Sequence, residues 1–350
     1  MSARTGDSRP TPSLRPVAPR RCLPRSRRLH ASPGRQRGIA LLVAILLVAL
    51  GTIIAAAIGY ENAMAARRSV ATFAFDQNLL ISQAGEAFAA YGLYRVRKDT
   101  PASTNLKQPW AMPYGPIEVV PDVMLDLSLE DLSGRFNINR LVNDDVNGSV
   151  NTVAREAFIN LLQILQLEPK WADLIIDWID PNIQPMIPYG AEDSVYLGQD
   201  PPYLAPNRYI TSISELLALP EFGRDKYLKL APYITALPPE VVTNVCTAPA
   251  QVLDAFMSGQ TTFSADGGEA LAKNRASAPG CFPNRDTDYK GAFNSPNDFT
   301  KVQGEIVVNS NYFRLTSHVT IGTTEFNLYS LLYQDANGLV RPIQRSFSPD

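Results

Sequence analysis

The feature that most constrains this 350-residue chain is a run of 23 uncharged residues, Gly38 to Tyr60, set directly behind a cluster of arginines. As an α-helix rising 1.5 Å per residue the run is about 34 Å long, which matches a hydrocarbon core of about 30 Å. The apolar stretch of a secretory signal is usually about 7 to 15 residues, shorter than this run. Arg35 and Arg37 place the preceding segment on the cytoplasmic side and send the rest outward. A cleaved secretory signal, cut at a small-residue site such as Ala63-Met64-Ala65, is the competing reading.

No proline occurs between Ile39 and Thr100, although the chain has 28, so one helix can leave the membrane and continue beyond it. Past Arg68, the residues Val70, Phe73, Leu80, Ala84, Phe88 and Tyr91 recur mostly at three- and four-residue steps or their sums. This stripe is expected to pack against a folded domain.

Charge is unevenly placed. Residues 1–38 hold ten arginines and one acid, Asp7, which leaves 22 basic against 33 acidic residues from Ile39 onward, a net charge of about −11. An acidic body opposes nucleic-acid binding, which rewards clustered Lys and Arg. Removing the leader also removes Cys22, leaving Cys246 and Cys281. Outside the cytoplasm such a pair reads as one disulfide; two unconnected thiols is the other reading.

Pro101, Pro109, Pro113 and Pro116 end the long helix. The segment IEVVPDVMLDLSLEDLSGRFNINRLV reads as strand, turn at Ser133-Gly134, strand. Residues 152–167 have helical apolar spacing through Phe158, Leu161, Leu162 and Leu165; 171–180, 212–231 and 248–258 are similar. Four strand-like segments near the end, EIVVNS, YFRLTSHVTIG, EFNLYSLLYQD and LVRPIQRSF, suggest an antiparallel meander. Strands, a helical block and more strands imply an α+β domain with a large inserted α-helical domain.

A basic leader ending in glycine, followed by an apolar helix that becomes amphipathic, resembles the type IV pilin and pseudopilin class. DLSGRFNINRLV (131–142), DLIIDWIDPN (173–182), YGAEDSVY (189–196), SISELLALPEF (212–222) and NVCTAPAQVLDAF (244–256) narrow the resemblance to the K-type minor pseudopilins of type II secretion systems. Their order and spacing make the match specific. The resemblance implies a pilin-like long N-terminal helix packed on an antiparallel sheet. It divides the chain into a leader (1–38), a transmembrane helix (39–60), its amphipathic continuation (61–100), a pilin-like α+β domain (101–144 and 286–350) and the insert (145–285).

The same resemblance implies cleavage by a prepilin peptidase between Gly38 and Ile39, with methylation of the new amine. Most pilins carry glutamate at the fifth mature position; here it is Val43, as in K-type subunits, which are thought to cap the pseudopilus tip. The implied partners are the I- and J-type minor pseudopilins, other pseudopilins, the inner membrane and the secreted cargo. The implied location is the bacterial inner membrane, crossed once, with the C-terminal domain in the periplasm. Where family members read NVNTA this chain has NVCTA, so Cys246 replaces an asparagine.

Between Trp171 and Asn207 there are six acids and no Lys or Arg. Such a stretch is either spread over solvated surface or neutralised by a cation, and calcium takes six to eight oxygen ligands from irregular loops. K-type proteins are thought to bind calcium in the insert, which singles out Asp180, Glu192, Asp193 and Asp200 as ligands. Asp173 and Asp177, at i, i+4 spacing, are read as facing solvent. The spacing is not that of an EF-hand loop. SISELLALPEFGRDKYLKL resembles half of a helix-hairpin-helix, expected here as scaffold. With the leader gone His318 is the one remaining histidine, and no flanking residue supports a triad around it. The chain is therefore expected to be no enzyme; the alternative is a signal-anchored periplasmic calcium-dependent hydrolase, for instance on Asp177 and Asp180.

Overall fold

The computed structural model describes residues 37–146, 148–257 and 296–349, together with 268, 269, 271–273, 275, 280–282, 289 and 293. The expected leader, up to residue 36, lies outside the described residues. The chain divides into two units, Met1–Ser69 and Val70–Asp350. The first is described through the start of helix α1 (Arg37–Asp99), which is long and apolar enough to cross a membrane. From Ile39 to Tyr60 its large apolar side chains are exposed.

In the second unit the end of α1 lies on a five-stranded antiparallel sheet. The strands are β1 (Tyr114–Val120), β2 (Val123–Asp131), β3 (Phe136–Asn137), β4 (Ile234–Thr235), β5 (Thr243–Asn244), β6 (Ile306–Val307), β7 (Tyr312–Ile321), β8 (Thr324–Gln334) and β9 (Val340–Ser346). The large sheet has the order β1-β2-β7-β8-β9. Burial alternates residue by residue along β7 and β8, as a sheet with one covered face requires. Val123, Leu125, Leu127, Leu315, Val319 and Leu332 form its inner layer.

The helix face that meets this layer is not the expected one. Val70, Phe73, Leu80, Ala84 and Tyr91 are exposed, whereas Phe88, half exposed, meets the Tyr114 ring of β1 at 4.8 Å. The inward residues are Asn78, Ser82, Gly85, Glu86, Ala89 and Leu93. Gly85 is the reason they fit: a Cβ there would sit 2.8 Å from Cδ2 of Leu127, so the helix closes onto β2 only without a side chain. Glu86 then accepts two hydrogen bonds from Arg345 of β9, at 2.8 and 2.9 Å. Gln334 of β8 donates to the Leu93 carbonyl at 3.1 Å.

The expected strand, turn at Ser133-Gly134 and strand are found as β2, a 3₁₀ turn (132–134) and the two-residue β3. A further hairpin at Pro121-Asp122, where Asp122 has φ +67°, joins β1 to β2, and the meander needs one correction. Within EIVVNS only Ile306 and Val307 are extended; they pair in parallel with β5 and stay out of the meander. The other three segments do form the consecutive strands β7, β8 and β9.

The helical part carries α2 (Thr152–Ile164), α3 (Lys170–Ile179), α4 (Asp193–Tyr196), α5 (Gly223–Leu230), α6 (Ala250–Ala255) and α7 (Pro296–Val302). Asn151 caps α2 by accepting from Ala154 N, and Ala154, Ala157, Phe158, Leu161 and Leu162 bury one face at i, i+3, i+4, i+7, i+8. Where 212–231 reads as helix, Ser212 and Glu215 form a capping box on a 3₁₀ turn (213–218) before α5. The core of this part takes in Phe136, Ile138 and Leu141 on one side and Phe299 and Ile306 on the other. It reaches past the expected limits 145 and 285 because β3 and β6 each pair with a strand on the helical side. Cys246 and Cys281 are joined by a disulfide, Cα–Cα 4.9 Å.

Candidate functional site

The acidic stretch folds into a loop held against the end of α3. Trp171, Ala172, Ile175, Ile176, Trp178 and Ile179 bury that helix nearly all round, and Asp173 and Asp177 go inside with them. Neither faces solvent. Asp173 pairs with Arg155 of α2 at 2.6 Å and is a structural ion pair. Asp177 is fully buried and accepts from Met186 N, at 3.0 Å to Oδ2 and 3.2 Å to Oδ1. This bond folds the loop back over the carboxylate. Gly190 completes the turn, since a Cβ there would lie 2.1 Å from Asp177 Oδ2 and 2.3 Å from Met186 N.

Three more carboxylates of the acidic stretch lie close enough to interact electrostatically. Asp180 caps the C-terminus of α3, its own N–H bonding Ile176 O at 2.9 Å, and its Oδ1 is buried with no hydrogen-bond partner. Glu192, at the N-cap of α4, is buried with no hydrogen bond within 3.5 Å to either oxygen, and Asn207 lies near enough to favour its charged form. Asp193 is half-buried and accepts from Ala205 N at 3.0 Å, tying down the far limb of the loop. Asp200 is exposed, and the structure does not bring it into this group.

Burial pushes the Asp177 carboxyl up to about 7, and the neighbouring charges of Asp180 and Asp173 add to the rise. Burial likewise raises Asp180 to about 6. Glu192 rises to about 7, first by burial and then by the charges of Asp177, Asp180 and Asp193. Removing a carboxylate from water without a partner is costly, so at neutral pH such a group either keeps its proton or takes a cation. Burial also raises the Tyr196 hydroxyl, which is unpartnered and senses Asp177 and Glu192. Among the described residues no group of three or more His, Cys, Asp and Glu is already arranged to hold a metal ion. The orphaned oxygens of Asp180 and Glu192 nevertheless suit a hard, oxygen-seeking cation such as calcium.

The asparagine motif 137–139 is a clamp. Asn139 Nδ2 donates to the Ile210 and Leu237 carbonyls at 2.9 and 2.8 Å, and Asn137 Nδ2 to those of Pro238 and Val241. Arg140 pairs with Glu305 at 2.5 Å. Asn244, in the NVCTA motif, bonds Asp131, Ser310 and the Thr104 carbonyl. These groups join the helical part to the sheet. His318 Nδ1 lies 2.7 Å from Asn327 Oδ1 on the neighbouring strand β8, and Asp126 of β2 stands opposite it in the register.

Comparison with known proteins bears on the same segment. The family described as type II secretion system (T2SS), protein K matches residues 134–239, which contain the asparagine clamp and the whole acidic loop. A type II secretion system protein K of Pseudomonas aeruginosa is 30% identical over 328 residues, covering 89% of this chain and 92% of its own. This chain belongs to the protein K family. It is a minor pseudopilin with the pilin-like α+β fold, and its apolar N-terminal helix fits a single-pass membrane anchor. A protein K of Klebsiella pneumoniae is 34% identical over 214 residues, 59% of this chain and 65% of its own. A chain in the crystal structure of the GspK-GspI-GspJ complex from enterotoxigenic Escherichia coli shares the fold, with TM-score 0.70 and 23% identity over 81% of this chain and 100% of its own.

Within protein K, the residue that sequence reasoning missed is Asp177. The signal was in LIIDWID: an acid with bulky apolar neighbours on every side of its helix is buried, whatever its i, i+4 spacing to another acid suggests.

Proposed function

We propose that this protein K caps the pseudopilus tip: cleaved between Gly38 and Ile39, methylated on the new amine and carrying its outer part in the periplasm, it helps start or limit the fibre that exports folded proteins. The observation that carries this is the chemistry of the apolar span. No acid occurs between Gly38 and Tyr60, and Val43 stands where elongating subunits carry glutamate. A carboxylate at membrane depth costs roughly 2.5 to 3.5 kcal/mol unless paired, so it is kept where a neighbour's amine meets it. A subunit with nothing above it meets no amine. The partners are the I- and J-type minor pseudopilins, a reading supported by the complex in which the structural relative was crystallised.

The acidic loop serves that role as a calcium-stabilised fold and performs no catalysis. Asp180 and Glu192 would hold the cation, with Asp177 and Asp193 fixing the loop that carries them. Bound calcium would supply the positive charge that these buried oxygens lack.

The test is the mature amino terminus together with the position of labelled copies. N-methyl-isoleucine at residue 39 and single copies at one fibre end are the expected results. An intact leader, or copies distributed along the shaft, would overturn the reading. Val43→Glu is expected to let the chain enter the shaft.

A further inference from the structure

The loop that carries the acidic stretch holds large apolar side chains out in water. Ile183, Ile187, Tyr189, Leu197 and Leu204 are all exposed, Ile187 to 91%. The backbone beneath them is tied down. Besides the Met186 bond to Asp177, Gly190 N donates to Met186 O at 2.6 Å, Tyr203 N to Tyr196 O at 3.4 Å and Asn207 Nδ2 to Asn182 O at 3.2 Å. A second loop abuts this one. At Gly148 a Cβ would lie 2.1 Å from Cδ of Pro181, a contact that brings the loop of Val146, 97% exposed, against the acidic segment. The open area of these six side chains is on the order of the 300 to 600 Å² at which an apolar patch marks an interaction site.

The rim of this crest is acidic. Asp144, Asp145 and Asp200 are exposed and Asp193 is half-buried, with no Lys or Arg between Trp171 and Asn207. The cations just before the stretch, Arg155 and Lys170, are paired with Asp173 and Glu168, and Arg208 borders its far end. Burial, then the charges of Asp144 and Asp145, push the Tyr209 hydroxyl up, so both acids lie near that end as well.

We infer that this crest is a docking surface for a folded protein that presents an apolar patch ringed by Lys and Arg. Charge decides between the occupants. A second copy of this chain would set the same acids against each other, and a bilayer bearing anionic lipid would repel them. An apolar centre with a basic ring meets both the side chains and their rim. The patch is smaller than the roughly 800 Å² per partner of a standard interface, so the contact is a transient one, made and released quickly. It is independent of where the subunit stands in the fibre.

The experiment places the full mature chain in phosphatidylcholine nanodiscs. The probe is a short fluorescein-labelled amphipathic helix of Leu and Lys, read by anisotropy against empty discs. Ile183→Ser combined with Ile187→Ser is expected to weaken binding at least tenfold and to leave thermal unfolding unchanged, because both side chains stand in solvent. Asp144→Asn combined with Asp200→Asn is expected to weaken it about threefold and to flatten its salt dependence. Probes with Ser in place of Leu, or Glu in place of Lys, are each expected to bind at least tenfold more weakly. Equal binding of the Ser and Leu probes would reduce the contact to charge alone and overturn the proposal, as would undiminished binding by the isoleucine variant. Sedimentation of the chain as a dimer that the isoleucine variant dissociates, or entry of a polarity-sensitive dye at Ile187→Cys into phosphatidylglycerol vesicles, would overturn it in favour of a second copy or a lipid surface.

Discussion

The helical part and the helix-on-sheet layer are packed on different principles. In the former, Phe136 stacks between Phe158 and Phe256 at 5.2 and 5.8 Å, and Trp171 meets Phe222 edge-on at 5.1 Å. In the latter, α1 offers the sheet Asn78, Ser82, Gly85, Glu86 and Ala89, with Leu93 as its large fully buried apolar side chain. The first core is apolar bulk on all sides; in the second an apolar sheet face meets a helix that adds Ile81, Leu93 and Val96 to small and polar side chains. A helix whose bulky residues point outward has little left to bury, so it must come nearer and use charge. The contrast predicts its largest effect in the helical part: Phe136→Ala should cost about 3–5 kcal/mol by denaturant unfolding of the full chain in micelles. A loss under about 1 kcal/mol would dissolve the distinction.

The polar layer is probed next. Glu86 is 5% exposed and held by both Arg345 bonds, so removing either partner strands a charge. Glu86→Gln and Arg345→Gln should each cost about 2 kcal/mol, less than a fully buried pair because Arg345 is partly exposed. The double variant should recover about 1 kcal/mol relative to the sum of the singles. Strict additivity would show that the pair contributes nothing as a pair.

The acidic loop gives a third, pH-dependent contrast. Asp177, Asp180 and Glu192 are raised to about 7, 6 and 7 in the folded chain, while the unfolded chain releases these protons near pH 4. The folded state therefore holds more protons between about pH 4 and 7. By linkage, the metal-free protein loses stability as pH rises through this window, on the order of 1–2 kcal/mol between pH 5 and 8. Millimolar calcium should flatten the dependence, because the cation takes the place of the protons. Thermal unfolding with calcium or with chelator checks this; stability that rises with pH in chelator would refute the assignment.

What could be read from the residues follows the same division. The strands β7 and β8 and the helix α2 announced themselves because their apolar periods match one covered face. The same periodicity misled on α1, whose apolar stripe, Phe88 against Tyr114 apart, faces away from the domain. Period tells which residues share a face and says nothing about which partner covers it. Gly85 and the acid Glu86 beside it marked the inner face, legible only once Leu127 and Arg345 were placed. Charge imbalance marked the acidic stretch as a whole and could not tell the buried Asp180 and Glu192 from the exposed Asp200. Asp177 could not be separated from Asp173 by spacing, because the difference lies in Arg155 and Met186, distant from one another in sequence.

The smallest effect is the most discriminating for α1. Leu80 and Leu93 are both leucines on this helix, 66% and 2% exposed. Leu93→Ala removes a side chain packed on the inner layer and should cost about 2–4 kcal/mol. Leu80→Ala touches no core, so its effect on unfolding should stay within about 0.5 kcal/mol. If Leu80 served the fold of this chain, the two losses would converge, and the outward face would need a partner within the molecule. If it serves an interface, its loss stays silent in the isolated protein and appears only in the assembled complex, as a fall in partner recovery. Measuring both variants in both settings separates a residue that builds the domain from one that the domain presents.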